Sequence, residues 1–358
     1  MDLYKLLILF LFFTGGFVLT YYLTPVVIQV VKIKRLYEKL TERSSHATHI
    51  PSFGGVVFFV VFIMSITFAE QFFLTFRAEY LVPAITIMFV VGLKDDMTGI
   101  SPRNKLIAQL LATTILFLST DFQITNLHGF LGIQSISVWL VIPLSYAVVI
   151  FFINAYNLID GIDGLAASLG ALFMLAFGLM FYQLKDWALL SVSLSMVGMF
   201  VAFLRYNLSS NKRIFMGDTG SLFVGFLIST FVIILMGSDY PLKIKFIAPA
   251  NFGVLLISIL FIPVLDSIRV FVARLIEGRS PFSPDRNHIH HLIMDYFGLN
   301  HRQTTIRIVL LSICVPFIVW AFSFVLSHFW LVMLLLAKGM LFSLWLRTLR
   351  IKLQRPSE

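Results

Sequence analysis

Long apolar stretches separated by short polar breaks run along nearly the whole chain. Stretches of spanning length fall near 6–31, 54–73, 81–93, 106–119, 138–153, 167–183, 187–204, 221–236, 251–273, 306–326 and 329–346. Apolar stretches of this length predict transmembrane helices. The expected fold is therefore an all-α polytopic integral membrane protein of about eleven spans, forming a single transmembrane domain over residues 1–358. Two stretches, 81–93 and 106–119, are short for a full span and borrow residues from their flanks. The first, Leu6 to Val31, is too long for a signal-peptide core and is followed by Lys32, Lys34 and Arg35, so it reads as a retained helix.

Composition agrees with this pattern. Hydrophobic residues make up 59% of the chain and charged residues 13%, and the mean hydropathy is +0.92, far from the balance of a water-soluble domain. The only cysteine, Cys314, sits in an apolar stretch, so no intrachain disulfide can form. The net charge of +9 records topology and attraction to anionic headgroups in a bilayer protein, and points to no nucleic acid partner.

The basic residues set an orientation. With the N-terminus outside, the inward segments hold Lys32 to Arg43, Lys94 to Lys105, Arg205 to Arg213, Arg274 to Arg307 and the tail from Arg347 to Arg355, twenty Lys and Arg in all. The outward segments hold five: Lys5, Arg77, Lys185, Lys243 and Lys245. This asymmetry predicts an external N-terminus and a cytoplasmic C-terminus.

On that map the polar clusters share one face. Lys94-Asp95-Asp96 with Ser101-Pro102-Arg103-Asn104-Lys105, then Asn154 to Gly164, then Met216 to Ser221, and then Arg279 to His291 all fall in inward loops. One composite site is expected there, built from segments 32–53, 94–105, 154–166, 205–220 and 274–305.

Asn154-Ala155-Tyr156-Asn157-Leu158-Ile159-Asp160-Gly161-Ile162-Asp163-Gly164 brings two carboxylates to a membrane edge, with no basic residue between Lys105 and Lys185. Anions beside hydrocarbon need a metal ion, a distant cation or water. Gly161 and Gly164 would let a phosphate or metal-bound ligand approach the backbone. Asp95 and Asp96 suit Mg²⁺, which takes oxygen ligands and bridges to substrate phosphates, or they form a solvated helix end. Gly217-Asp218-Thr219-Gly220-Ser221 offers N–H groups and hydroxyls to an anion with Asp218 on its metal, or is an ordinary helix cap. Phe215 could stack on a flat ring or pack in the core. His288, His290 and His291 with Arg286 lack cysteine partners, so hydrogen bonds to phosphate or sugar oxygens rank above zinc. Asp266 and Arg269, one helical turn apart, read as a satisfied intramembrane pair, and His128, His301 and His328 take no assignment.

Taken together, these motifs, with Pro51-Ser52-Phe53-Gly54-Gly55 and Asp285-Arg286-Asn287-His288-Ile289-His290-His291, resemble the polyprenyl-phosphate N-acetylhexosamine-1-phosphate transferase family in order, spacing and placement. The Asp-Arg-x-His-x-His-His form and eleven spans are most similar to the branch that moves GlcNAc-1-phosphate onto undecaprenyl phosphate. The branch using UDP-MurNAc-pentapeptide usually has three consecutive histidines and ten helices, whereas Ile289 interrupts them here.

The resemblance implies a Mg²⁺- or Mn²⁺-dependent transfer of a sugar-1-phosphate from a UDP-N-acetylhexosamine to a polyprenyl phosphate with release of UMP, in a bacterial cytoplasmic membrane. A homodimer is compatible with it. It implies Asp218 as metal ligand, assisted by Asp96 or Asp160, and Asp95 as the group that positions or deprotonates the lipid phosphate, or as a covalent nucleophile. Asn157, Asp163 and Phe215 are implied at the nucleotide, Arg286, His288, His290 and His291 at the diphosphate or sugar, and Lys105 at the phosphates. The expected catalytic set is thus Asp95, Asp96, Asp160 and Asp163. A transporter would instead place ionisable groups near the midplane, often in repeated halves.

Overall fold

The computed structural model describes residues 3–35, 50–73, 77–237, 240–280 and 286–354. Most of the expected site segment 32–53, with Lys39 and Arg43, lies outside the described residues, as do Pro284, Asp285 and Arg355. Helices follow in the order α1 (Leu3–Lys34), α2 (Gly54–Phe73), α3 (Ala78–Thr98), α4 (Pro102–Leu116), α5 (Val138–Asn157), α6 (Leu165–Leu184), α7 (Trp187–Asn207) and α8 (Gly217–Gly237). After the single turn α9 (Tyr240–Lys243) come α10 (Pro249–Ile259), α11 (Phe261–Ile276), α12 (Ile289–Phe297), α13 (His301–Phe322) and α14 (His328–Gln354). Among the described residues the regular structure is helical, with one isolated antiparallel bridge between Asn126 and Ser135.

Every predicted apolar stretch forms helix. Among the described residues eight helices, α1, α2, α5, α6, α7, α8, α13 and α14, are long and apolar enough to cross a membrane, and α10 with α11 makes a ninth candidate. The protein is a polytopic membrane protein. The two stretches that look short correspond to α3 and α4, which carry Lys94, Asp95 and Asp96 on one side of a tight turn and Arg103 and Lys105 on the other.

The stretch 251–273 is not one straight helix. It breaks at Leu260 (φ −92°, ψ 19°), and α10 and α11 meet at 70°. Pro263 has no N–H to offer the carbonyl of Ile259 and its ring crowds that carbonyl, which favours a kink here, whereas Pro25, Pro83, Pro143 and Pro316 lie inside helices that continue past them.

Helix α8 is the axis of the bundle. Its most apolar window is 94% buried, against 22–28% for α1, α5, α13 and α14, whose outer faces are left to lipid. Helices α2, α3, α5 and α6 surround it. Hydrocarbon gives no hydrophobic drive for helix association, so close packing through small residues has to hold such a bundle. A Cβ on Gly225 of α8 would lie 2.9 Å from the Cα of Ile153, one on Gly55 of α2 would lie 2.6 Å from the Cα of Gly220, and one on Gly92 of α3 would lie 2.5 Å from the Asp218 carbonyl oxygen. These clashes are with backbone, which cannot rotate away. Gly55→Ala should therefore cost about 1–3 kcal/mol and lower the melting temperature in detergent. An unchanged melting curve would show that α2 and α8 separate there without penalty.

Candidate active site

The turn between α3 and α4 is closed by its own carboxylate. Gly99 takes a positive φ (φ 76°, ψ 143°) that glycine alone adopts readily, and its N–H reaches the Asp95 carbonyl, while Ile100 N–H donates to Asp95 Oδ1 at 2.5 Å. Ser101 caps α4 by accepting from Asn104 N–H, and Pro102 occupies the first turn, where no N–H is needed. The turn brings Lys105 against Asp95 in an ion pair. The same ammonium donates to Asp218 Oδ2 at 2.8 Å, so one lysine bridges carboxylates from two helices.

The start of α8 is fixed by a short β-like pairing. Phe215 N–H donates to the Pro51 carbonyl at 2.8 Å, Gly54 N–H to Phe215 at 3.0 Å and Gly55 N–H to Met216 at 3.1 Å. Gly217 follows with φ 69°, and a side chain there would meet Ser52 and Asp96. Asp96 then caps α8 from α3. Its Oδ1 accepts Asp218 N–H at 2.8 Å, and its Oδ2 accepts both Thr219 N–H at 2.9 Å and the Thr219 hydroxyl at 2.5 Å. These are orphan donors of a helix N-terminus, where a negative charge is favoured. With both oxygens engaged, Asp96 holds the residue beside it in space, Asp218.

From the other side Asn157, at the end of α5, donates to Asp218 Oδ1 at 2.6 Å and to Ser221 Oγ at 2.7 Å. Asp160 follows in the loop before α6. Burial, then the charges of Asp218 and Asp163, push its carboxyl up to about 7, against the pull of the Gly217 N–H. Asp95, Asp160 and Asp218 with Lys105 and Asn157 therefore form one polar cluster at one end of the bundle.

Asp163 is turned to other partners. Its Oδ2 is 3.2 Å from the Arg213 guanidinium and 3.1 Å from His301 Nδ1, and its carbonyl accepts from Thr305 Oγ1 at 2.9 Å. Next to it Gly164 N–H donates to Asn207 Oδ1 at 2.6 Å, and Asn207 Nδ2 donates to the Ile214 carbonyl. These bonds tie the 158–164 loop to the approach to α8 and to α13.

The histidine segment closes another side. His290 is 3% exposed, its Nε2 has no hydrogen-bond partner, and a Cβ on Gly161 would fall on that ring. The His290 and His291 ring centroids are 4.3 Å apart. Burial, and then His291, hold the His290 imidazole down at about 3, and burial lowers His291 as well, so His290 is neutral at physiological pH. Arg286 is largely exposed and forks onto Asp295 of α12 at 3.3 Å to both oxygens. Phe215 is half-buried three residues before Asp218.

The sequence model of glycosyl transferase family 4 matches residues 79–236, the segment that carries all of the carboxylates of this cluster. A probable undecaprenyl-phosphate N-acetylglucosaminyl 1-phosphate transferase of Bacillus subtilis is 30% identical over 81% of this chain and 78% of its own length. An undecaprenyl-phosphate alpha-N-acetylglucosaminyl 1-phosphate transferase of Yersinia pestis is 32% identical over 77% and 73%. The chain belongs to glycosyl transferase family 4. A decaprenyl-phosphate N-acetylglucosaminephosphotransferase of Mycobacterium leprae, 28% identical, aligns over 82% of this chain and 78% of its own length.

In this family 4 chain, no three His, Cys, Asp or Glu side chains among the described residues stand as a preformed metal cage. The donors nevertheless suit a hard divalent ion. Mg²⁺ needs one or two carboxylates and completes its shell with water and substrate phosphates, and Asp160, its carboxyl raised first by burial and then by the charges of Asp218 and Asp163, stands near enough to Asp218 to feel its charge.

Several contributors left no mark in the sequence. Gly92 sits in an ordinary apolar stretch, and His301 and Arg213 look like surface residues until the fold sets both on Asp163. Gly161 is legible as a glycine beside an acid, but its task is to admit His290. Gly161→Ala should therefore shift the buried His290 ring and lower turnover about tenfold or more, read as UMP release with an unchanged melting temperature. Full activity would show that the His290 contact is dispensable.

Proposed function

We propose that this protein transfers N-acetylglucosamine-1-phosphate from UDP-N-acetylglucosamine to a polyprenyl phosphate such as undecaprenyl phosphate, releasing UMP and starting a lipid-linked cell-envelope glycan. One observation carries the reading: carboxylates from α3, the α5–α6 loop and α8 meet Lys105 and Asn157 at one end of a membrane bundle. The names of the similar proteins support N-acetylglucosamine 1-phosphate as the group moved and undecaprenyl phosphate as its acceptor, and the family resemblance of the motifs supports UDP as its carrier.

An oxygen of the lipid phosphate attacks the sugar-bearing phosphorus, the bond from that phosphorus to the bridging oxygen breaks, and UMP departs with that oxygen. Both substrates are anionic and one is confined to the bilayer, so positioning and charge neutralisation carry the catalysis. Lys105 meets phosphate charge between Asp95 and Asp218, and Asp95 orients the acceptor phosphate or takes up its proton. Asn157 orients Asp218, Phe215 stacks on the base, and His288, His290, His291 and Arg286 line the diphosphate and sugar. Asp218 with Asp160 would hold a Mg²⁺ ion, which would supply neutralisation of the phosphates when bound. Asp96 contributes by capping α8, and Asp163 by fixing the 158–164 loop.

The site lies on the cytoplasmic face of a bacterial inner membrane, the N-terminus is outside, and α3, α4 and the bent α10–α11 pair complete eleven spans. The basic residues crowded at the site end support this orientation.

The test incubates detergent-purified protein with undecaprenyl phosphate, Mg²⁺ and sugar-labelled UDP-N-acetylglucosamine. UMP and a labelled diphospholipid are expected, whereas UDP would mean ordinary glycosyl transfer and sink the reading. A pH prediction accompanies it. Unfolded Asp160 ionises near the ordinary 3.8, and the folded carboxyl near 7. Between these values the folded chain retains a proton that the unfolded chain releases, so metal-free stability falls as pH rises through that window and levels above it. Added Mg²⁺ favours the ionised form and should bind more weakly below about pH 7. Melting curves with EDTA or Mg²⁺ at pH 5.5 and 8 check both, and a Mg²⁺ stabilisation equal at the two pH values would remove Asp160 from the ion's surroundings.

A further inference from the structure

Asp266 lies in α11, 2% exposed, just beyond the break between α10 and α11. Neutralising Arg269, whose guanidinium is 2.9 Å from Oδ1, would occupy one oxygen. Asp266 does more. Its Oδ2 is 2.8 Å from His288 Nδ1, and Oδ1 also accepts Ile289 N–H at 2.9 Å. Ile289 is the first residue of α12, and His288 before it makes no capping bond of its own, so Asp266 caps α12 from another helix. Arg269 donates to the Asn287 carbonyl. Residues 287, 288 and 289 are thus each held by this one pair.

The contacts continue outward. The His288 and His290 rings lie parallel, 5.8 Å apart with 7° between planes, and the His290 ring abuts Gly161 in the loop that carries Asp160. A packed sequence Asp266, His288, His290, Gly161 connects the broken helix to the carboxylate cluster.

We propose that Asp266 is a positioning residue for the histidine segment. It selects the tautomer of His288 with the proton on Nδ1 and fixes the start of α12, and so sets how His288, His290 and His291 face the Asp160–Gly161 loop. An ionised carboxylate only accepts hydrogen bonds, so Nδ1 must donate and Nε2 is the nitrogen left for a ligand. Partners that orient a metal-bound histidine contribute about 10–100-fold in activity, and a similar factor is expected where the histidine faces a phosphate or sugar oxygen. The role in turnover rests on the transferase reading above.

The test is Asp266→Asn in protein carrying ¹⁵N-histidine, with the His288 signal assigned by its loss in His288→Ala. Two donors already point at Oδ1, so asparagine keeps its oxygen there and turns its NH₂ to His288, forcing the proton to Nε2. The expected results are that tautomer switch and a loss of UMP release of about 10–100-fold. His288→Ala should lose a similar factor, and the double variant no more than the larger single loss. An unchanged His288 tautomer, or losses that multiply in the double variant, would overturn the proposal. If Arg269 left without its partner prevents folding, Asp266→Asn with Arg269→Gln removes both charges and is measured in the same two backgrounds. A wild-type protein that releases no UMP would defeat the transferase reading alone, since the tautomer readout does not depend on turnover.

Discussion

Asp218→Asn should remove nearly all turnover while the protein folds as before. The side chain keeps its volume, Asn157 Nδ2 still has an oxygen to meet at the position it now reaches at 2.6 Å, and Lys105 retains Asp95 as a partner. The lost Lys105–Asp218 pair is partly exposed, at 25% and 30%, so its removal costs no more than about 1 kcal/mol. What disappears is the charge that the cluster is arranged around and, on the proposed mechanism, the anionic ligand for the divalent ion. The loss of a preorganised charge at the reacting centre corresponds to about 10³-fold in kcat. The measurement is UMP released per enzyme molecule, with melting in detergent as the folding control. Turnover near that of the unmodified protein would remove Asp218 from the mechanism.

Asp96→Ala acts by a different route, and its signature is loss of stability together with loss of turnover. The substitution strips the partner from the N–H groups of Asp218 and Thr219 and from the Thr219 hydroxyl, at a helix start packed within the bundle. Each buried donor left unpaired costs about 1–3 kcal/mol, so a destabilisation of about 3 kcal/mol or more is expected. Asp218 then loses the cap that orients it, and turnover falls with it. Asp96→Asn keeps one acceptor oxygen and should fall between alanine and the unmodified protein in both properties. An Asp96→Ala protein that melts normally and is inactive would instead make Asp96 a direct ligand of metal or substrate.

The adjacent acids show how far sequence reading reaches. Asp95 and Asp96 are indistinguishable in the chain, and so are the two Asp-Gly pairs at Asp160 and Asp163. In the structure Asp95 faces Lys105, whereas Asp96 turns about 100° around the helix and meets α8. Asp160 senses the charge of Asp218, whereas Asp163 is tied to Arg213 and His301. The 251–273 stretch gives a similar lesson. Its apolarity foretells a membrane segment, yet the consequence of Pro263 for the Ile259 carbonyl concerns hydrogen bonds, which a hydropathy count does not weigh. Asp266 and Arg269 were legible as a pair one turn apart, while the second oxygen's hold on His288 spans 22 residues and a change of helix.

The sequence by itself determined which segments enter hydrocarbon and which polar clusters stay at its edge, because transfer from water to lipid is largely a sum over individual residues. It also contained the acids, amides and histidines of the site, as a set. Only the tertiary structure decided which carboxylate faces the shared lysine, which caps a helix and which braces a loop. Those roles depend on backbones brought into contact by Gly55, Gly92 and Gly220 across separations of more than 100 residues. At such contacts, distance and direction, which no local pattern encodes, determine whether a carboxylate finds an ammonium, an N–H group or a metal ion.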